Sequence, residues 1–311
     1  MIGVVTGFAI IFTVVGAGFA LGRAGVFGGD GGRLVLNRVA FHAATPALLF
    51  TVVAKSDQAE LFSPVILVSL LAAVVTALIY AAVSTVFFRR DLATTTMGAA
   101  AASYVNSNNI GLPVGIYVLG TGAYVAPVIV LQVVLFTPLI LALITAEDHR
   151  GASRARRVGH SLREVLATPL VLGSIAGLVA CLTGWEIPQP VMAPLELLGG
   201  ASIPLILMSF GASLTEQKML DSPADRPTAL VATAMKLVLM PAVALVLSLA
   251  LGLSGTQLYA ALILAALPTA QNVYNYAATY RKGEIVARDT VFLSTFLALP
   301  VMLGIAALYG G

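Results

Sequence analysis

Charge is what this chain has least of. Asp, Glu, Lys and Arg make up 10% of its 311 residues, where a soluble domain carries roughly 25%, so a water-facing surface cannot be assembled from them. The 59% that is hydrophobic reads instead as membrane. Cysteine is nearly absent. Cys181 alone excludes an intramolecular disulfide and a cysteine-held metal cluster, and its apolar neighbours make it a small packing residue. Membrane-centre carboxylates are missing too: every Asp and Glu falls in a loop or near the end of an apolar run. That leaves no aspartate-rich magnesium site and no pair of membrane aspartates for intramembrane catalysis. Two of the three histidines, His149 and His160, share one loop, so no Ser/His pair is in view. No phosphate-binding glycine loop or soluble domain is present to harness ATP. An enzyme is not expected, and neither is a cofactor or a bound metal.

What is present is apolar length. A spanning helix needs about 20 apolar residues, and ten runs qualify: 2–21, 34–54, 62–88, 93–120, 122–146, 165–184, 190–214, 227–251, 255–280 and 286–309. The N-terminal run lacks a basic flank and a small-residue cleavage pattern, so it is expected to be a retained span. The connecting loops are short, the longest being the basic segment 147–164. Of the seventeen Lys and Arg, Lys55 alone lies in an even-numbered loop and Lys236 alone lies within a span. The other fifteen sit in or beside odd-numbered loops. Positive charge marks the cytoplasmic side, so both termini are expected outside the cytoplasmic membrane. The basic excess is thereby a topology signal, and no nucleic-acid partner follows from it.

The runs also repeat. Leu131 to Leu141, "LQVVLFTPLIL", and Leu293 to Leu303, "LSTFLALPVML", share Leu131/Leu293, Leu135/Leu297, Pro138/Pro300 and Leu141/Leu303 at an offset of 162. Span two carries "ATPALLF" around Pro46 and span seven carries "SIPLILM" around Pro204. Five spans per copy is an odd number, so the second copy must enter the membrane inverted. The expected fold is an all-α integral membrane protein of ten helices in a 5+5 inverted repeat. Its first copy is 1–146, the basic linker 147–164, and the second copy 165–311.

Spans four and nine are interrupted at matching places. The first carries Asn106, Ser107, Asn108, Asn109, Gly111 and Pro113; the second carries Pro268, Thr269, Gln271 and Asn272. Proline removes a donor and clashes with the preceding turn, while glycine and asparagine tolerate left-handed backbone. Asn and Ser can satisfy freed backbone groups. Non-helical backbone at membrane depth is tolerated only inside protein or along a cavity, and paired broken spans point to a transporter's binding site. A helix restarting after each break presents bare N–H groups and a positive dipole end, a seat for a small carboxylate. Gln132, its repeat-mate Ser294 and Thr295 are expected to line the same cavity. His42 either titrates and couples transport to protons or is a hydrogen-bonded structural histidine. Lys236 lies about nine residues into span eight, ~14 Å at 1.5 Å per residue; it either has a charge role or snorkels toward the cytoplasm. Glu196 is expected to be paired or snorkelling. The pairs Gly18/Gly22 and Gly173/Gly177 are read as close helix contacts.

These stretches resemble the auxin efflux carrier family, including its bacterial malonate-transporter-like branch. "LNRVAFHAATPALLF" (Leu36 to Phe50) looks like the family's second helix. "NSNNIGLP" is similar to its first crossover run, of the form N-T-G-F-L-G-I-P, and "LPTAQNVYNYAATYRKG" through "LSTFLALP" to its ninth and tenth helices. The resemblance covers nearly the whole chain. It implies a scaffold of spans 1, 2, 6 and 7, a transport unit of spans 3–5 and 8–10 that moves as an elevator, and a homodimer. It places Asn106, Pro113, Pro268 and Asn272 at the crossover, Gln132 at an often polar position, and Pro46 on the scaffold side of the site. Asn108 stands where the family usually has glycine, and His42 where an aromatic is common. The function expected is secondary transport of a small organic anion. The alternatives are a sodium-coupled carrier of the bile-acid symporter type and a channel or sensor.

Overall fold

The computed structural model of the chain describes residues 2–28, 30–56, 58–144, 168–213, 220 and 222–310. The basic segment 147–164 and Lys218, both used above for orientation, lie outside the described residues. Among the described residues there is no β-strand. The helices that matter below are α1 (Ile2–Arg23), α2 (Asp30–Val39), α3 (Thr45–Ala54), α4 (Pro64–Val83), α5 (Leu92–Ser103), α6 (Val125–Leu131) and α7 (Thr137–Ile144). They continue with α8 (Pro169–Thr183), α9 (Gln189–Ser213), α10 (Arg226–Ala234), α11 (Met240–Ala250), α12 (Gly255–Ala266), α13 (Gln271–Tyr280) and α14 (Glu284–Tyr309).

Six described helices are long and apolar enough to cross a membrane: Val35–Ala54, Pro64–Phe88, Val125–Ile144, Gln189–Ala212, Arg226–Ala250 and Glu284–Tyr309. Ala9–Arg23, Pro169–Thr183 and Gly255–Ala266 are apolar but shorter. This is a multi-pass, all-helical membrane protein. Where the sequence pattern leads to ten spans, the fourth and ninth are not continuous helices: α5 stops after 12 residues and α12 after 12.

Six π-turns widen the described helices, and proline explains the placement of four; Ser84–Phe88 and Gly115–Leu119 have no proline at that spacing. The widened turns Ala40–Ala44, Ser107–Gly111, Gln132–Phe136 and Met235–Leu239 each end two residues before a proline: Pro46, Pro113, Pro138 and Pro241. The proline ring cannot donate to the carbonyl four residues back and crowds it, so the preceding turn opens by one residue.

The chain divides into two compact units. The first comprises 1–62, 108–130 and 166–217, where α1 packs on α9, and α3 packs on α8 and α9. Glycine permits these approaches. A Cβ on Gly18 would run into the Met208 backbone, one on Gly22 would press on Ala212, and ones on Gly173 and Gly177 would meet the backbones of Pro46 and Phe50. The glycine pairs are close helix contacts, as their spacing predicts. Thr45 and Ser202 join α3 to α9 by a buried hydroxyl pair at 2.8 Å.

The second unit comprises 63–107, 131–165 and 218–311. Here α4 packs on α5, α11 and α12, while α14 packs on α5, α10, α12 and α13. Small residues again set the spacing. Ala93, Ala100, Ala101, Ala270, Ala277 and Ala287 share one buried cluster with Met97, Tyr104 and Val273.

Candidate functional site

The site begins with two helices that stop early. α5 starts on a cap, the Asp91 carboxylate accepting the Thr94 N–H at 2.8 Å, and ends where Tyr104 turns extended (φ −82°, ψ 109°). α12 ends at Leu267 (φ −55°, ψ 146°), the conformation that Pro268 imposes on the residue before it. In the second unit the two extended links lie side by side, antiparallel. Asn106 N–H donates to the Pro268 carbonyl at 2.8 Å and Ala270 N–H to the Tyr104 carbonyl at 3.0 Å, around the bridge between Val105 and Thr269. Pro268 has no N–H to give, and the pairing uses only its carbonyl.

Side chains complete the pairing. Ser107 Oγ donates to Gln132 Oε1 at 2.5 Å, and Gln132 Nε2 donates to the Val105 carbonyl at 3.0 Å. On the other link, Thr269 N–H donates to Ser294 Oγ at 3.0 Å and Thr269 Oγ1 to the Ala101 carbonyl at 2.6 Å. Gln132 and Ser294 are 162 residues apart, the offset of the sequence repeat, and each anchors one break. All of these groups are buried with Asn106. A buried backbone group without a partner would cost several kcal/mol in hydrocarbon; here hydroxyls and an amide engage the Val105 and Ala101 carbonyls and the Thr269 N–H.

The local conformation differs from the sequence expectation. Gly111 and the asparagines suggest a left-handed break, but Gly111 is right-handed helical (φ −64°, ψ −44°). Among the described non-glycine residues only Arg89, Leu220 and Arg281 have positive φ. The break is extended and lies at Tyr104–Asn106, ahead of the asparagine run. Helix resumes at Ser107, and Pro113 sits inside the resumed helix, widening its first turn.

The other expected residues distribute as follows. Gln132 was expected to line a cavity, but its amide is engaged with Ser107 and Val105. Thr295 donates to the Val291 carbonyl at 2.7 Å within its own helix. Gln271 is half-buried and Asn272 exposed at the start of α13, whose N-cap residue, Ala270, offers no side chain to the first-turn N–H groups. Lys236 is fully buried, donating to the Ala265 carbonyl at 2.6 Å and to Met240 Sδ at 3.3 Å. In the first unit, Asn108 Nδ2 donates to Asn109 Oδ1 at 2.9 Å, and half-buried Pro46 opens α3 with its backbone against Gly173. His42 is exposed, with Nδ1 3.0 Å from the Arg38 carbonyl and its ring edge-on to Phe41. Glu196 forms an ion pair with Lys55.

The sequence reading passed over a hydroxyl chain beside the first break. Tyr104 OH lies 3.2 Å from Thr137 Oγ1, which lies 3.3 Å from Tyr276 OH. Nothing in the spacing of these three residues marks them. Asn275, exposed three residues after Asn272, could have been found, since residues three apart share a helix face. Among the described residues no three His, Cys, Asp or Glu side chains come together; the polar groups at the breaks are amides, hydroxyls, carbonyls and one ammonium.

The chain's relatives carry the same stamp. The family profile described as "Membrane transport protein" matches residues 4–306. A protein of Rhizobium meliloti named "Putative malonate transporter" is 28% identical over 282 residues, 87% of this chain and 85% of that protein. An "Uncharacterized transporter" of Methanothermobacter thermautotrophicus is 25% identical over 295 residues, 93% of each chain. "Auxin efflux carrier component 1" of Arabidopsis thaliana is 29% identical over 145 residues, 45% of this chain and 23% of that protein. With nearly its whole length matched, the chain belongs to the membrane transport protein family, that of the auxin efflux carriers.

Proposed function

We propose that this protein is a secondary transporter that carries a small carboxylate across the cytoplasmic membrane by alternating access, with the ligand held at the paired breaks. The observation that carries this reading is the antiparallel pairing of 104–106 with 268–270 between two helices that stop early. Interrupted helices at membrane depth are tolerated only inside protein or along a cavity, and a matched pair of them is the pointer to a transporter's binding site. α13 restarts directly after the second break with no side-chain cap, so its N–H groups and positive dipole end favour an anion. The exposed amides of Asn272 and Asn275 and the half-buried amide of Gln271 are the donors nearest in sequence. Asn106, Ser107 and Thr269 hold the backbone that frames them. The name of the Rhizobium relative makes malonate the first ligand to try.

The ten-span 5+5 repeat is part of this proposal. Gln132 and Ser294, at the repeat offset, each anchor one break, which supports two copies of one design. An elevator movement of spans 3–5 and 8–10 against spans 1, 2, 6 and 7, within a homodimer, is the implied mechanism. The compact units differ from that division in one respect: residues 108–130 group with the first unit.

Thermal-shift titration of the purified protein with malonate and a panel of mono- and dicarboxylates, with and without sodium, tests the reading. A ligand that binds only the folded state stabilises by about 2.7 kcal/mol at a hundredfold excess over its dissociation constant. Asn272→Ala and Asn106→Ala are expected to weaken malonate binding roughly tenfold each, the scale of a hydrogen bond to a charged group. Unchanged affinity in both variants sinks the site, and stabilisation only in sodium selects a sodium-coupled symporter.

A further inference from the structure

Lys236 is the charged residue that the sequence puts deepest inside a span, and the transport proposal gives it no task. It is fully buried. Among the described residues no carboxylate pairs with it. Its ammonium donates to the Ala265 carbonyl at 2.6 Å, with the Met240 thioether as a soft second contact. Ala265 is the penultimate residue of α12, so this carbonyl belongs to the last turn, where C=O groups lack helical partners and the dipole is negative. Three residues later comes Pro268 of the second break.

The first break solves the same problem differently. There the Ala101 carbonyl, in the last turn of α5, is met by the neutral hydroxyl of Thr269 at 2.6 Å, while the residue at the repeat offset from Ala265 is Ser103. The position in the first repeat that corresponds to Lys236 is Val74. A hydroxyl therefore suffices to satisfy such a carbonyl in this fold, and it avoids the penalty of burying a charge with no counter-ion. An ammonium kept at one break and absent from the other is kept for its charge. The widened turn Met235–Leu239, forced by Pro241, carries the residue.

We propose that Lys236 is a built-in cation: at the carbonyl end of α12 it takes the seat that a dissolved coupling cation occupies in carriers with broken helices, and so holds the second break ready for a carboxylate without sodium. Lys236 is then a positioning residue. It touches the break and not the substrate, and it rests on the carrier reading only for its effect on ligand affinity. The seat itself is a separate statement about cation binding.

The test uses two variants of the full-length protein. Lys236→Ala removes a propylammonium-sized piece and leaves a place for one. Propylammonium is expected to raise the melting temperature of Lys236→Ala and leave the wild type unmoved, while the neutral isostere n-butane-sized alcohol n-propanol moves neither. Malonate affinity, weakened roughly tenfold or more in the variant, a common scale of site-to-site coupling, is expected to return with propylammonium or with sodium. Lys236→Met keeps the bulk without the charge and leaves no seat, so it should lose affinity and gain no rescue. A purely structural lysine would not make binding cation-dependent. If Lys236→Met binds malonate as the wild type does, or folded Lys236→Ala responds to neither cation, the built-in cation is overturned. If propylammonium stabilises Lys236→Ala while the wild type ignores every carboxylate, the seat stands and the carboxylate reading falls.

Discussion

Asp91 shows how much a single side chain can do at a helix entrance in this protein. Burial works to raise its pKa, but the Thr94 N–H and hydroxyl that it accepts outweigh this and hold the carboxyl below its ordinary value. A carboxyl depressed on folding adds stability that is present above its unfolded pKa and is lost as pH falls through the folded one, so the contribution fades below about pH 4. The residue is largely solvent-screened, and its main worth is the cap. Asp91→Ala is expected to lower stability by about 1 kcal/mol, and Asp91→Asn to keep most of the cap while removing its acid sensitivity. Thermal melts at pH 7 and about pH 3 check both; equal acid sensitivity in Asp91→Asn and the wild type would refute the assignment. At this scale the sequence was readable where a residue type has few uses. The Gly18 and Gly173 contacts follow from composition and position, as does a paired or snorkelling Glu196, whose partner Lys55 the sequence does not name. The Tyr104–Thr137–Tyr276 chain does not, because hydroxyls separated by 33 and 139 residues leave no local pattern.

The breaks were legible as elements but not in conformation. Asn106 and Pro268 marked the right places, because amide-rich and proline-bearing segments are out of keeping with an apolar span. The left-handed geometry inferred from Gly111 was wrong, because each extended link is satisfied by the other link, 162 or more residues away. Once paired, neither needs the turn that glycine permits. Mutual pairing of this kind makes the anchors measurable. Thr269 Oγ1 donates to the buried Ala101 carbonyl, and removing one partner of a buried hydrogen bond costs about 1–3 kcal/mol. Thr269→Val, nearly the same shape, is expected to lose that amount and to weaken ligand binding, while Thr269→Ser stays near wild type. Melting curves and malonate titrations of both variants decide it. A Thr269→Val protein as stable as Thr269→Ser would mean that the hydroxyl does not hold the break. The proline-linked π-turns were only partly latent in the sequence: four open two residues before a proline, while Pro194, Pro204 and Pro300 sit in helices with no such turn.

Whole-molecule topology depends on which loops share a side of the membrane, and each unit supplies an internal check. In the first unit the loop after α3 meets the loop after α8. Gln58 Nε2 donates to the Cys181 carbonyl at 3.1 Å, and Lys55, Trp185 and Glu186 line one cleft of about 350 Å³. Both are even-numbered loops. In the second unit Arg90, after α4, pairs with Asp225, before α10, at 2.9 Å, and Gly283, after α13, would press on Met97 and Thr94 of α5 if it carried a Cβ. All of these belong to odd-numbered loops or the helix ends beside them. Even meets even and odd meets odd, as a chain crossing the membrane at every span requires. Parity leaves the choice of side to charge, and fifteen basic residues against one are the ground for proposing that the odd loops face the cytoplasm. In a background with Cys181 replaced by serine, Glu186→Cys is therefore expected to react with a membrane-impermeant maleimide on intact cells, while Ala224→Cys reacts only after permeabilisation. Reversed labelling would turn the whole molecule over and put both termini in the cytoplasm, leaving every contact within the two units as it is. Labelling of both sites from one side would break the alternation itself, and with it the odd number of spans on which an inverted repeat depends.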